Sequence, residues 1–211
     1  MGDRVVARTL FAATALVALV GLVTQLVVTA TSTGGFYPHN PQRVFNVFAY
    51  FTIQSNVLVL VSSAWLALRP EASSTLQRGL RLAGLLGITV TGVVFHVALR
   101  QLQDLTGSAA FADLLLHTGS PLLCVLGWLL FGPRGAAGGR VVAWTLAFPV
   151  GWLVFTLARG PATGFWPYPF LDVDDLGWVR VLANCVLVAL LFGALAAAAG
   201  ALDRRLPRRA D

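Results

Sequence analysis

Within the apolar stretch 49–61, AYFTIQSNVLVLV, four polar residues fall inside five positions: Thr52, Gln54, Ser55 and Asn56. A second apolar stretch carries Asp113, His117, Ser120 and Pro121. These residue types permit nucleophilic chemistry. A threonine hydroxyl attacks poorly at neutral pH unless a base lies within hydrogen-bond reach. A neutral imidazole can take that proton, and its second ring nitrogen then needs an acceptor that fixes tautomer and orientation. Thr52 and His117 could supply the first two roles. Asp113, one helical turn before His117, is the candidate for the third. Asn56 and Gln54 can donate to a developing oxyanion, Gln54 being the weaker choice because it points away from the Thr52 stripe. The same polar groups also have a structural reading, since Thr, Ser and Asn inside apolar helices often bond a neighbouring helix. No GxSxG elbow, HExxH or glycine-rich phosphate loop occurs.

The elements that must position these residues follow from composition. Of 211 residues, 57% are hydrophobic and 11% charged. A soluble domain carries roughly 25% charged residues, so this chain cannot cover a water-facing surface. An all-α integral membrane protein is expected, with the lipid bilayer as its principal partner. Net charge is +6 and every basic residue is Arg. The arginines sit between apolar stretches and at the ends, which marks topology signals and not a nucleic-acid groove. Cys124 and Cys185 lie in separate apolar stretches and read as buried thiols. No cofactor or metal site is expected.

A span needs about 20 mostly apolar residues. Six are expected in a single domain: 7–31, 44–68, 80–99, 111–131, 141–158 and 178–201. Val28, Thr29 and Ala30 resemble a signal-peptide cleavage site. The preceding apolar stretch is longer than a usual h-region, so an uncleaved helix is expected. One side of the bundle would take Arg4, Arg8, Arg69, Arg78, Arg81, Arg134, Arg140, Arg204, Arg205, Arg208 and Arg209. The other would take Arg43, Arg100, Arg159 and Arg180. That asymmetry predicts cytoplasmic termini.

At about 1.5 Å per residue, Thr52 lies roughly 12 Å from the outer surface, His117 and Asn184 roughly 9 Å, and His96 roughly 6 Å. The ionisable and amide groups within spans thus gather in one outer layer. Helical spacing aligns Thr52, Ser55, Asn56 and Val59 on one face, and Asp113, His117, Ser120, Pro121 and Cys124 on another. These faces should point into the bundle. Pro121 removes a backbone hydrogen bond and clashes with the carbonyl four residues back, so it should kink the fourth span beside His117.

Three segments carry a resemblance that covers most of the chain after the first span: FAYFTIQSNVLVLV, LLLHTGSPLLCVLGWLLF and FPVGWLVFTLARGPATGFWPYPFLDV. They resemble the androgen-induced and androgen-dependent membrane proteins, whose animal members hydrolyse fatty-acid esters of hydroxy fatty acids. The resemblance implies a multi-spanning fold, a lipid ester substrate, and a catalytic pair of Thr52, in Tyr50-Phe51-Thr52, and His117, in His117-Thr118. It also implies a loop motif at Trp166-Pro167-Tyr168-Pro169-Phe170-Leu171. After the Thr this chain has Ile53-Gln54-Ser55-Asn56, where the animal proteins are more often aromatic and then acidic or Asn. Asp113 stands where they place an Asn-His pair.

The aromatic loop reads either as a lid over the site or as an interfacial belt. Asp172, Asp174 and Asp175 read as a solvated acidic loop in preference to a cation site. The leading expectation is a lipid ester hydrolase with Asp113, Asn56, His96 and Asn184 in support. A non-catalytic lipid-binding or transport protein is the alternative. A b-type haem held by His96 and His117 is a further one.

Overall fold

The computed structural model describes residues 2–69, 74–102, 104–132 and 139–206. Among them every regular element is helical. The helices are α1 (Gly2–Thr31), α2 (Asn40–Val47), α3 (Phe51–Leu68), α4 (Thr75–Val94), α5 (Gly107–Leu114), α6 (Ser120–Phe131), α7 (Gly139–Thr163) and α8 (Val173–Arg205). A π-helical segment, Phe95–Leu99, continues α4, and a second, Leu115–Gly119, joins α5 to α6.

Among the described residues five helices are long and apolar enough to cross a membrane: Gly2–Thr31, Phe51–Leu68, Thr75–Leu102, Gly107–Phe131 and Val173–Arg205. The sixth expected span, 141–158, lies inside α7. Arg134, Arg208 and Arg209 lie outside the described residues, as does the Arg140 side chain.

Local chemistry sets several helix ends. The Ser74 hydroxyl caps α4 by accepting from the Gln77 N–H at 3.2 Å. The Asp172 carboxylate caps α8, accepting from the N–H groups of Asp174 and Asp175 at 3.0 and 3.1 Å. Arg204 and Arg205 occupy the last turn of α8, where the helix dipole favours cations. Gly177 interrupts α8 with φ +76° and ψ 157°, a conformation that side-chain-bearing residues avoid, so the long regular part of the helix begins at Trp178.

The stretch expected as one span over 44–68 is instead two helices. The chain turns at Phe48 and Ala49, and Tyr50 is extended (φ −76°, ψ 132°) as the N-cap of α3. Thr52 therefore stands in the first turn of α3 and not two turns down a continuous helix. Hydrophobic content alone does not reveal this break, because Phe48, Ala49, Tyr50 and Phe51 are apolar on both sides of it.

The centre of the bundle is formed by α1, α3 and α4, with α6 and α7 against α4. Ala18, Val59, Leu85, Leu86, Ile88 and Trp128 make the larger core, and Leu22, Val47, Ile53 and Leu116 a smaller one beside Thr52. Gly92 lets α4 approach α6 closely: a Cβ there would meet Pro121 Cβ at 3.2 Å and the His117 carbonyl oxygen at 3.5 Å. Small residues at such contacts are how helices associate where no hydrophobic gain is available. The outer surfaces are apolar, with Val179, Leu187 and Leu190 of α8 and Val5, Leu16 and Val27 of α1 all well exposed.

Candidate active site

Pro121 organises the helix that carries His117. The Ser120 N–H bonds the Leu115 carbonyl, five residues back, so the chain widens into a π turn. The Leu116 carbonyl would then look five residues ahead to Pro121, which has no N–H. Asn56 of α3 fills the gap: its Nδ2 donates to Leu116 O at 3.2 Å and to Thr52 O at 2.9 Å. The kink expected beside His117 thus takes the form of a π bulge, cross-linked to α3 one turn below Thr52. The Asn56 amide hydrogens are spent on these two carbonyls, in a fully buried side chain. Gln54 Nε2 likewise bonds the Phe48 carbonyl at 2.8 Å.

With these supports, Thr52 Oγ1 and His117 Nε2 come within 3.3 Å. His117 Nδ1 faces Asp113, 2.9 Å from Oδ1 and 3.2 Å from the backbone oxygen. Two acceptors on Nδ1 place the proton there and leave Nε2 as an acceptor toward Thr52. The Phe95 ring stacks on the imidazole at 4.1 Å with an interplanar angle of 13°, fixing its plane.

A third group joins them. The Tyr168 hydroxyl is 3.2 Å from Thr52 Oγ1 and accepts from the Thr52 N–H at 3.2 Å. That N–H is free because the first turn of a helix has no intrahelical acceptors for it. With its oxygen accepting the amide, the phenol can donate its own hydrogen to Thr52 Oγ1. The hydrogens then run in one direction: Tyr168 O–H to Thr52 Oγ1, Thr52 O–H to His117 Nε2, and His117 Nδ1–H to Asp113. Burial of the phenol pushes its pKa up to about 12, only partly offset by its hydrogen bonding with Thr52. The residue as a whole is half-buried. It keeps its proton across the ordinary pH range.

Tyr168 is held from several sides. Its ring stacks on Phe170 at 5.3 Å and meets Tyr50 edge-on at 5.8 Å. Asn184 Nδ2 donates to the Phe170 carbonyl at 2.8 Å, tying the 168–171 turn to α8. Trp166 Nε1 donates to Asp174 Oδ2 at 2.9 Å, and its ring fills the space a Gly160 Cβ would need. Trp152 Nε1 donates to Ala49 O at 2.9 Å, bracing the break before α3. The acidic loop residues Asp172 and Asp174 are thus engaged as a helix cap and as an acceptor for Trp166. Among the described residues no group of three His, Cys, Asp or Glu side chains converges as a metal site would require.

His96 stands apart from Thr52 and His117. Its Nε2 is 3.1 Å from Thr118 Oγ1. Both ring nitrogens of His117 are hydrogen-bonded within the protein, and Phe95 covers its face, so the geometry lends no support to a haem between these two rings.

Thr52, His117 and Tyr168 line one side of a cavity of about 230 Å³. Its other walls are almost wholly apolar, with Val94, Leu146, Leu153, Val188 and Phe192 among them. Thr91 supplies one further hydroxyl. Thr14, Thr24, Thr89 and Thr145 spend their hydroxyls on the carbonyl four residues back, whereas the buried Thr91 Oγ1 has no partner. In the sequence Tyr168 belongs to the loop motif read as a lid or a belt, with no role of its own, and Thr91 is not among the candidate residues. Proline on both sides of Tyr168 is the available signal for the first; for the second, helical spacing with Gly92 and His96 favours Thr89 over Thr91. Compared with known proteins, the chain matches no family model, no curated protein and no solved structure.

Proposed function

We propose that this protein is a membrane-embedded lipid ester hydrolase in which Thr52 is the nucleophile and His117 the general base. The observation that carries the reading is the Thr52 Oγ1–His117 Nε2 approach of 3.3 Å, with Asp113 on the far nitrogen, at the wall of an apolar cavity. Acyl chains suit such walls, and an ester carbonyl at Thr52 would be its reacting group. His117 Nε2 takes the hydroxyl proton as Oγ1 bonds the carbonyl carbon. The tetrahedral oxyanion receives a hydrogen bond from Tyr168. Collapse breaks the ester C–O bond, and the departing alkoxide takes the proton from His117. Water, deprotonated by the same imidazole, then attacks the acyl-threonine, releasing the acid and restoring Thr52.

The resemblance to the androgen-induced and androgen-dependent proteins supports the same pair and suggests fatty-acid esters of hydroxy fatty acids as substrate class. In the proposed topology six helices span a cell membrane, both termini are cytoplasmic, and the site lies in the outer-leaflet half. The excess of arginine on the terminal side supports that orientation. Purified wild type should hydrolyse long-chain esters, and Thr52→Ala and His117→Ala should each lose the activity. Wild type that hydrolyses no ester in a broad acyl panel refutes the reading.

The apolar cavity also favours a second reading, retention of a lipid without turnover. It predicts that lipid co-purifies equally with wild type and Thr52→Ala and is chemically unchanged.

A further inference from the structure

A second cleft, of about 520 Å³, lies beside the α2–α3 junction and shares no lining residue with the Thr52 cavity. Arg159 of α7 is its charged wall. One guanidinium nitrogen, Nη2, donates to Asn46 Oδ1 at 2.7 Å and to Tyr37 Oη at 3.1 Å. The guanidinium carbon lies 5.2 Å from the centre of the Phe165 ring. These contacts fix the position and plane of the cation and, among the described residues, leave Nε and Nη1 without a protein acceptor. Among the described residues no carboxylate pairs with Arg159. An oriented guanidinium with open donors matches a carboxylate or phosphate in bidentate fashion.

The rest of the cleft has two characters. Gln42 and Gln54 add side-chain amides to its lining. Phe45, Phe48 and Phe155 line it as well and are 77%, 46% and 49% exposed. Three exposed phenylalanines beside one uncompensated cation describe an amphiphile's two ends. We propose that this cleft binds a long-chain anionic lipid, with its acidic head on Arg159 and its chain along the phenylalanines. The proposal goes beyond the hydrolase reading and does not depend on it. Free carboxylate and lipid phosphate share the required chemistry.

The test is binding of oleate, oleoyl lysophosphatidate and neutral methyl oleate to the purified full chain in detergent, all in a Thr52→Ala background. Turnover is then irrelevant, and failure of the hydrolase reading leaves the result intact. The parent should bind at least one anionic probe about tenfold or more tighter than methyl oleate, the scale of a charge-assisted hydrogen-bonded pair. Arg159→Gln should abolish that preference while leaving methyl oleate binding unchanged. Because Arg159 also braces Tyr37 and Asn46, the exposed Gln42→Glu is the second variant. Its carboxylate competes for the guanidinium and should lower anion binding with the melting temperature retained. Preference for both anions identifies the shared acid group, and preference for one alone identifies carboxylate or phosphate. Equal binding of all three probes by the parent, or a preference that survives Gln42→Glu and Arg159→Gln, overturns the proposal and leaves Arg159 a structural brace.

Discussion

The hydroxyl of Tyr168 sits 3.2 Å from both the backbone nitrogen and the side-chain oxygen of Thr52, a residue 116 positions earlier in the chain. One phenol thus joins the loop between α7 and α8 to the first turn of α3. Its oxygen takes an amide hydrogen that the helix leaves unused, and its hydrogen is directed at the hydroxyl that would attack.

Removing that hydroxyl separates its role from packing. Tyr168→Phe keeps the ring that stacks on Phe170 and loses only the oxygen. Loss of one oxyanion donor costs about 100-fold to 1,000-fold in turnover. The expected result for ester hydrolysis is a kcat lowered by at least tenfold with KM little changed. A change confined to KM would make Tyr168 a substrate contact only.

The same phenol gives a pH-dependent stability. Its folded pKa, about 12, lies above the ordinary value of 10.0 because burial disfavours the phenolate. A group raised in this way contributes stability that is fully present below pH 10 and lost as pH rises toward 12. Midway through that window the loss is on the order of 1 kcal/mol. Melting temperatures in detergent between pH 9 and pH 11 should fall more steeply for wild type than for Tyr168→Phe. Parallel curves would show that the phenol is not buried.

Asn56 holds two helices together through the carbonyl that Pro121 leaves without a partner. Asn56→Ala should orphan Leu116 O in a dry interior, at a cost of about 1–3 kcal/mol. The π turn carrying His117 should then shift, so hydrolysis should fall together with thermal stability. Pro121→Ala, which restores an N–H, should partly rescue the stability of Asn56→Ala. Absence of rescue would mean that the Leu116 carbonyl is not what Asn56 serves.

His117 and Asp113 should differ sharply under substitution. His117→Ala removes the proposed base and should cost at least 100-fold in turnover. In Asp113→Ala the backbone oxygen of residue 113, 3.2 Å from Nδ1, still accepts the proton that fixes the tautomer. The expected loss is therefore nearer tenfold, measured on the same ester at constant pH. Equal losses would mean that the carboxylate alone orients the ring.

Much of this arrangement was legible in the sequence because it follows periodicity. Asp113 and His117 share a face at a spacing of four, and their contact at 2.9 Å lies where that spacing places it. Thr52 and His117 do come within 3.3 Å of each other, but the depth expected for Thr52 counts from residue 44, and the helix that carries it begins at Phe51. The break before α3 was not legible, since the residues around Tyr50 are apolar on both sides of the turn. It matters chemically, because it frees the Thr52 N–H that Tyr168 takes. The aromatic loop motif is legible, but the role of Tyr168 within it is not: it lies on a loop, where no helical period says which way a side chain points. Helix face associates Asn56 with the site and depth associates Asn184 with it, but their amides go to carbonyls, and only tertiary packing selects those partners.

The most direct measurement of the central claim is the position of a covalent adduct. Wild-type protein treated with a long-chain fluorophosphonate should gain one phosphonyl group, which peptide mapping by mass spectrometry should place on Thr52. Thr52→Ala should gain none, and His117→Ala should label at least 100-fold more slowly for want of the base. An unmodified Thr52 in wild type that nonetheless hydrolyses long-chain esters, or an adduct mapped to another residue, would contradict the account.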